Sequence, residues 1–208
     1  MALFITFEGG EGSGKSAQSR VLYAKLTKQA IPVVLTHEPG GTPLGDKMSH
    51  LLKWTNDTDI SPMTELLLFN AARAQLVTEI VKPSLKKGVI VICDRYADSS
   101  IAYQSYGRGL DLEIVKLVNH TATQGLKPDL TFLLNTPSEI GLARKKQQKQ
   151  DRFERENLAF HQKVRQGYLK LAADESERWL VVDASQSKAK ITKLIWQRVS
   201  ELLPQRRV

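Results

Sequence analysis

Five short apolar stretches, at residues 3–7, 33–36, 89–93, 130–135 and 179–182, recur along the chain and are separated by segments of helical periodicity. Strands that are apolar at nearly every position are those covered on both faces, so the pattern predicts a parallel sheet flanked by helices, an α/β architecture. Helix starts are marked twice. Ser61 followed by Pro62 supplies an N-cap with proline at the first helical position, and Thr136-Pro137-Ser138-Glu139 reads as a capping box. Phe160, Val164, Tyr168 and Leu171 fall at spacings of four, four and three, which predicts one buried helical stripe and core packing. No repeat or low-complexity linker divides the chain, so one domain spanning 1–208 is expected.

One segment breaks the pattern. Residues 144–155 hold six cations (Arg144, Lys145, Lys146, Lys149, Arg152, Arg155) and two acids (Asp151, Glu154), half of the net charge of +8 carried by the 208 residues. By itself such a run reads as a solvated helix face or loop. The overall excess of positive charge favours anionic partners without choosing among nucleotide, nucleic acid and acidic membrane. A single cysteine, Cys93, excludes an intramolecular disulfide and a cysteine-rich zinc site, and fits a cytoplasmic setting. The N-terminal apolar run is too short for a secretory signal, and no stretch approaches the roughly 20 residues that cross a bilayer, so no membrane partner is expected.

The strongest chemical signal follows the first apolar stretch directly. Gly9-Gly10-Glu11-Gly12-Ser13-Gly14-Lys15-Ser16 satisfies G-x-x-x-x-G-K-[ST] between a predicted strand and a predicted helix. Glycines let backbone N–H groups turn inward onto phosphates, and the following helix presents its positive end to the same anion. Lys15 is expected to reach the β- and γ-phosphates of ATP, and the Ser16 hydroxyl to ligate Mg²⁺. Switches, motors and kinases share this motif, so other residues must decide. None of Asn56, Asn70, Asn119, Asn135 or Asn157 begins the Asn-Lys-x-Asp sequence by which guanine-nucleotide switches read their base, and 208 residues leave little room for a motor. A small phosphotransferase remains.

Asp94 and Arg95 close the third apolar stretch, at the strand edge where open α/β sheets bind ligands. Asp94 can orient metal-bound water or the surroundings of Lys15, and Arg95 can grip a phosphate with two parallel hydrogen bonds. Phe69 and Arg73 are four apart on one helical face, where a ring can stack on a base while a guanidinium meets its edge. Ser100 and Gln104 share that spacing if their segment is helical, and offer hydroxyl and amide groups to a flat polar ring.

Taken together, residues 8–16, His37-Glu38-Pro39-Gly40-Gly41-Thr42, the Phe69/Arg73 face, residues 94–104 followed by Gly107-Arg108-Gly109, and Asp151-Arg152-Phe153-Glu154 stand in the order found in bacterial thymidylate kinases, and the chain resembles that family from Phe4 to about Asp183. The resemblance implies a P-loop kinase fold of three layers, with a five-stranded parallel sheet of order 2-3-1-4-5 and a mobile lid near 144–155. It also implies transfer of the ATP γ-phosphate to dTMP, giving dTDP and ADP with Mg²⁺ in dTTP synthesis, by a homodimer that needs no nucleic acid. On that resemblance Phe69 stacks on thymine, and Arg73, Ser100 and Gln104 read its edge. Arg95 grips phosphate, with Ser99 also beside the acceptor nucleotide, Tyr103 lies under the sugar, and Glu38 sits near the acceptor phosphate. Catalysis is expected from Lys15, Arg95, Glu11 and, because the loop carries no arginine, from Arg152 of the lid, with Arg144 and Arg155 as further candidates. Ser16 and Asp94 are the expected metal residues.

Two departures from the family pattern stand out. Where close relatives carry an arginine about eight residues after the Pro-Gly-Gly turn, this chain has Ser49-His50, leaving Lys47 or His50 to compensate, and His37 replaces a common arginine. Two other functions fit the motif less well. One is a kinase acting on another nucleoside monophosphate or on a nucleoside; the other is a basic, nucleotide-dependent nucleic-acid-binding module, suggested by the overall positive charge and the Arg206-Arg207 tail.

Overall fold

The computed structural model describes residues 2–54, 59–146 and 149–203; Asn56 and the Arg206-Arg207 pair lie outside them. Five parallel strands, β1 (Phe4–Glu8), β2 (Val33–His37), β3 (Ile90–Asp94), β4 (Leu130–Asn135) and β5 (Trp179–Asp183), form one sheet in the order β2-β3-β1-β4-β5. The predicted strands are all present. Four of them run one residue further than the apolar pattern implies, because Glu8, His37, Asp94 and Asp183 still pair in register with a neighbouring strand. A polar residue at the strand's carboxyl end ends the hydrophobic signal but not the ladder, and those ends are where the chemistry lies.

Alternation along the strands sorts two cores. Ile5, Phe7, Ile92, Phe132 and Leu134 face α1 (Lys15–Lys28) and the C-terminal helix, packing on Leu22, Leu26, Ile191, Ile195 and Val199. Phe4, Val91, Cys93 and Leu133 point the other way. There they meet α3 (Pro62–Leu76), α6 (Leu112–Thr123) and α8 (Leu158–Asp174), with Phe160, Val164, Tyr168 and Leu171 buried as the stripe predicts. Between β2 and α3 lies α2 (Pro43–Trp54); α4 (Lys82–Lys86) continues α3 through a π-helical stretch at Val77–Val81. After β3, α5 (Ala97–Ser100) passes into a second π-helical stretch, Ile101–Gly107. α7 (Ser138–Lys145) leads into the basic segment, and α9 (Lys188–Leu202) closes the fold. Among the described residues no helix is long and apolar enough to cross a membrane.

Ser61 caps α3 as expected, its side chain accepting from the Thr64 N–H at 3.2 Å. The capping box at Thr136 does not form. α7 begins at Ser138, which leaves Pro137, with no side-chain acceptor, at the cap; Glu139 accepts instead from Gln162 at 2.8 Å, and Thr136 Oγ1 is buried without a partner among the described residues.

Cys93 is fully buried within β3, and burial pushes its thiol well above the usual range while Sγ donates to the Arg95 carbonyl at 3.0 Å. In native buffer a thiol reagent should therefore label Cys93 only through unfolding, with a rate that climbs across the urea transition. Complete labelling within minutes without denaturant would refute this placement.

Candidate active site

The loop between β1 and α1 turns on glycines in left-handed conformations, Gly12 at φ 64° and Gly14 at φ 93°. Gly14 also starts α1 without a side-chain cap, so the first N–H groups of that helix remain available to an anion. At Gly12 a β-carbon would lie 2.1 Å from the carbonyl oxygen of Gly141, and at Gly141 one would lie 2.2 Å from that of Glu11, so the loop and the start of α7 touch backbone to backbone. Lys15 folds back over this turn, donating to the Gly9 and Gly10 carbonyls at 2.8 and 2.7 Å and to Ser13 Oγ at 3.3 Å. Burial first, then the charge of Arg95, lowers its ammonium to about 8 against the pull of Glu11, Asp94 and Glu8. Beside it the Ser16 hydroxyl donates to Asp94. Loop and strand ends enclose a basin of about 670 Å³.

Arg95, just past β3, adopts a left-handed backbone with φ 69°. This is costly for a residue with a β-carbon and persists because its surroundings fix it. Its N–H donates to the Phe7 carbonyl at 2.9 Å, and its guanidinium bonds the Gly9 carbonyl at 3.1 Å, Tyr168 at 3.2 Å and Glu11 at 2.8 Å. Burial would raise the Glu11 carboxyl, but Arg95, Lys15 and the Tyr103 hydroxyl, 2.6 Å away, hold it at about 2. Glu8 lies behind this group, fully buried, and accepts from the Tyr96 N–H and from the hydroxyls of Ser99 and Tyr168 at 2.7, 2.7 and 2.8 Å. Burial, then the charge of Asp98, pushes it up to about 7.

A narrow slot adjoins the basin. Phe69, Arg73, Ser99, Ser100, Tyr103, Gln104 and Phe153 line it, and Glu11, Glu38, Lys53, Arg95 and Asp151 line both spaces. Every substrate residue expected from the sequence is therefore gathered here. Arg73, expected to meet the edge of a base, lines the slot while already engaged with the protein. It is buried, and its donors serve Glu38, Asn70, Ser100, Asn119 and the Tyr96 carbonyl. Burial pushes Glu38 upward against the attraction of that guanidinium, 2.7 Å away, and the Glu38–Pro39 bond is cis.

The basic segment splits between the two spaces. Arg144 donates to the Gly12 carbonyl at 3.0 Å, at the glycine loop. Arg152, expected to close over the transferring phosphoryl group, donates here to the Leu52 carbonyl at 3.0 Å, near the carbonyl-rich end of α2, and to Glu65 of α3 at 2.7 Å. Arg155 Nε reaches the Asp151 carbonyl at 3.3 Å, and Lys145 pairs with Glu154 at 3.1 Å. Neither Lys47 nor His50 lines either space. The cation that does so from α2 is Lys53, one turn beyond Ser49, while His37 stands exposed on the basin's rim.

A family model described as thymidylate kinase matches residues 7–195. The chain belongs to the thymidylate kinase family. It is 55% identical over 203 residues, 98% of each chain, to a thymidylate kinase of Dehalococcoides mccartyi, and 48% identical over 212 residues, 97% of this chain and all of the other, to that of Geotalea uraniireducens. The crystal structure of thymidylate kinase from Ehrlichia chaffeensis superposes with a TM-score of 0.77 at 34% identity, covering 95% of this chain and 98% of that one. Thymidylate kinases are phosphotransferases of the nucleoside monophosphate kinase class that use ATP with a divalent metal, and they serve nucleotide biosynthesis.

Ser16 and Asp94 form an all-oxygen donor pair next to the glycine loop. Such a pair suits a hard divalent cation that keeps most of its waters and takes the rest of its ligands from phosphate. Lys53, Glu65, Asp151, Phe153, Tyr168 and Glu8 stand at the site although the sequence gives them no individual role there. The phenol of Tyr168 was hidden in an apolar stripe, and its ring does pack in the core while its hydroxyl reaches Glu8 and Arg95.

Because Glu8 binds its proton more tightly when folded, the native state holds more protons than the unfolded chain between its ordinary value of 4.5 and about 7. Its contribution to stability therefore falls as pH rises through that window. Glu8→Gln removes this slope. In urea titrations the stability of Glu8→Gln relative to wild type should improve by up to about 3 kcal/mol between pH 4.5 and 8, and a pH-independent difference would refute it.

Proposed function

We propose that this chain transfers the γ-phosphate of ATP to dTMP, yielding ADP and dTDP, through one P-loop kinase domain with a lid at 144–155, in the cytoplasm and without nucleic acid or membrane. The observation that carries it is the seam at which basin and slot meet. Two cations, Lys53 and Arg95, line both spaces together with Glu11, Glu38 and Asp151. A triphosphate held by residues 9–16 and a monophosphate nucleotide in the slot would present their reacting ends to each other there.

In this reading Lys15 exchanges the Gly9 and Gly10 carbonyls for phosphate oxygens, and the N-terminus of α1 supplies further donors. Arg95 and Lys53 hold the acceptor phosphate. That phosphate is already anionic, so no general base is required, and positioning with charge neutralisation carries the catalysis. Glu11 acts through Arg95 and Tyr103, fixing the fork of one and the ring of the other. Ser16 and Asp94 would hold Mg²⁺, which when bound adds charge neutralisation on the phosphate oxygens. Phe69 faces the base and Tyr103 the sugar, where it disfavours a 2′-hydroxyl. Among the lid cations Arg144 already stands at the loop, and Arg152 would have to release Glu65 to reach it.

Pairing of two copies is assigned to the face of α2, α3 and α6, where Leu51, Leu67, Ile114 and Leu117 are 45, 52, 46 and 67% exposed on neighbouring helices. Sedimentation should find a dimer that Leu67→Glu and Leu117→Glu convert to monomer; a monomeric wild type would dismiss the assignment.

An acceptor panel with coupled ADP detection tests the reaction. dTMP should be the fastest acceptor, and a faster rate with dCMP or dGMP would overturn the base assignment. On the same panel Lys53→Ala should raise the KM for dTMP by about tenfold with the KM for ATP little changed, and Lys53→Arg should restore it; equal effects on both substrates would remove Lys53 from the acceptor phosphate.

A further inference from the structure

Glu65, on the first turn of α3, is a fully buried carboxylate surrounded by donors. One oxygen accepts from the Gln104 side-chain amide at 2.7 Å. Arg108 reaches both oxygens, at 3.3 and 3.2 Å, and Arg152 adds a bond of 2.7 Å to the second. Two guanidiniums thus balance the charge, and the amide contact is left with a purely directional consequence. An amide has two distinct ends. Rotating that of Gln104 by half a turn would set its carbonyl oxygen against a carboxylate oxygen, two acceptors at hydrogen-bond distance in a buried site, which Glu65 forbids. The amide nitrogen is thereby committed to Glu65, and Gln104 Oε1 has no partner among the described residues while Gln104 lines the slot.

We propose that Glu65 is a positioning residue that determines base specificity: by seizing the Gln104 amide nitrogen it leaves the slot a fixed acceptor, which a ring N–H can satisfy and a bare ring nitrogen cannot. This rests on the nucleotide assignment made above. Thymine and uracil carry a hydrogen at N3; cytosine carries a lone pair there. With the carbonyl locked, cytosine would face Gln104 lone pair to lone pair and leave a buried acceptor unpaired, a mismatch of the kind that binding sites reject most strongly. Were the amide free to turn, it could offer its N–H₂ to cytosine instead, and the discrimination would collapse although every slot residue remained in place.

The test is the ratio of kcat/KM for dTMP to that for dCMP, with dUMP as a control that also carries N3–H. Glu65→Gln can present either end to Gln104 and so frees its amide. Glu65→Asp keeps the charge for Arg108 and Arg152 while withdrawing from the amide. Each should lower the dTMP to dCMP ratio by about tenfold or more and leave the dTMP to dUMP ratio within about twofold. Arg108→Gln removes an ion pair from the same carboxylate without touching the amide and should leave both ratios unchanged. A dTMP to dCMP ratio that survives in whichever of the two Glu65 variants folds, or that falls as far in Arg108→Gln, would overturn the proposal. Failure of the underlying nucleotide assignment is distinguishable, because the wild-type chain would then show no preference for dTMP before any substitution is made.

Discussion

Opposite charges packed at the carboxyl ends of β1 and β3 are the constraint on which the site depends. Glu8, Glu11, Lys15, Asp94 and Arg95 converge there, Glu8 and Lys15 buried and the other three half-buried, and each is tolerable only because a neighbour balances it. Arg95 is the member that ties the group together. Its strained backbone aims a single guanidinium at a loop carbonyl, a carboxylate and a phenol, so the glycine loop, the end of β3 and α8 are fixed relative to one another. The balance is poised for another anion: Lys15 rests on weak carbonyl acceptors, and the Lys53 ammonium makes no hydrogen bond or ion pair among the described residues.

Much of this was legible in the sequence, for identifiable reasons. The strands announced themselves because a sheet covered on both faces must be apolar throughout, and the glycine loop because its spacing is dictated by phosphate geometry. The residues missed are those whose role depends on what lies opposite in space. Nothing local distinguishes Lys53 from Lys47, since only the angle of α2 against the slot turns one inward and the other to solvent. Arg73 could be placed on the right face, but not its engagement with Glu38, Asn70 and Asn119, which come from other turns and other helices. The position of Arg152 was likewise out of reach, because the acceptors that hold it belong to α2 and α3.

The basic segment carries two separate jobs. Its N-terminal end, through Arg144, belongs to the glycine loop. Its C-terminal end, through Arg152 and Phe153, covers the slot: the Phe153 ring lies 5.5 Å from that of Phe69, and Arg152 shares Glu65 with Gln104. The basic segment and the lining of the slot thus meet at a single carboxylate, and movement of one would alter the electrostatic surroundings of the other.

The backbone meeting of Gly12 and Gly141 has a mechanical consequence. Side-chain contacts yield by changing rotamer, whereas two main chains in van der Waals contact have no such slack. Any displacement of the loop on filling would be delivered to α7 as a push on its first turn, and α7 is a rigid lever whose far end opens into the basic segment. A methyl group on either glycine would wedge the two apart, so this joint can drift in evolution only by moving both backbones at once.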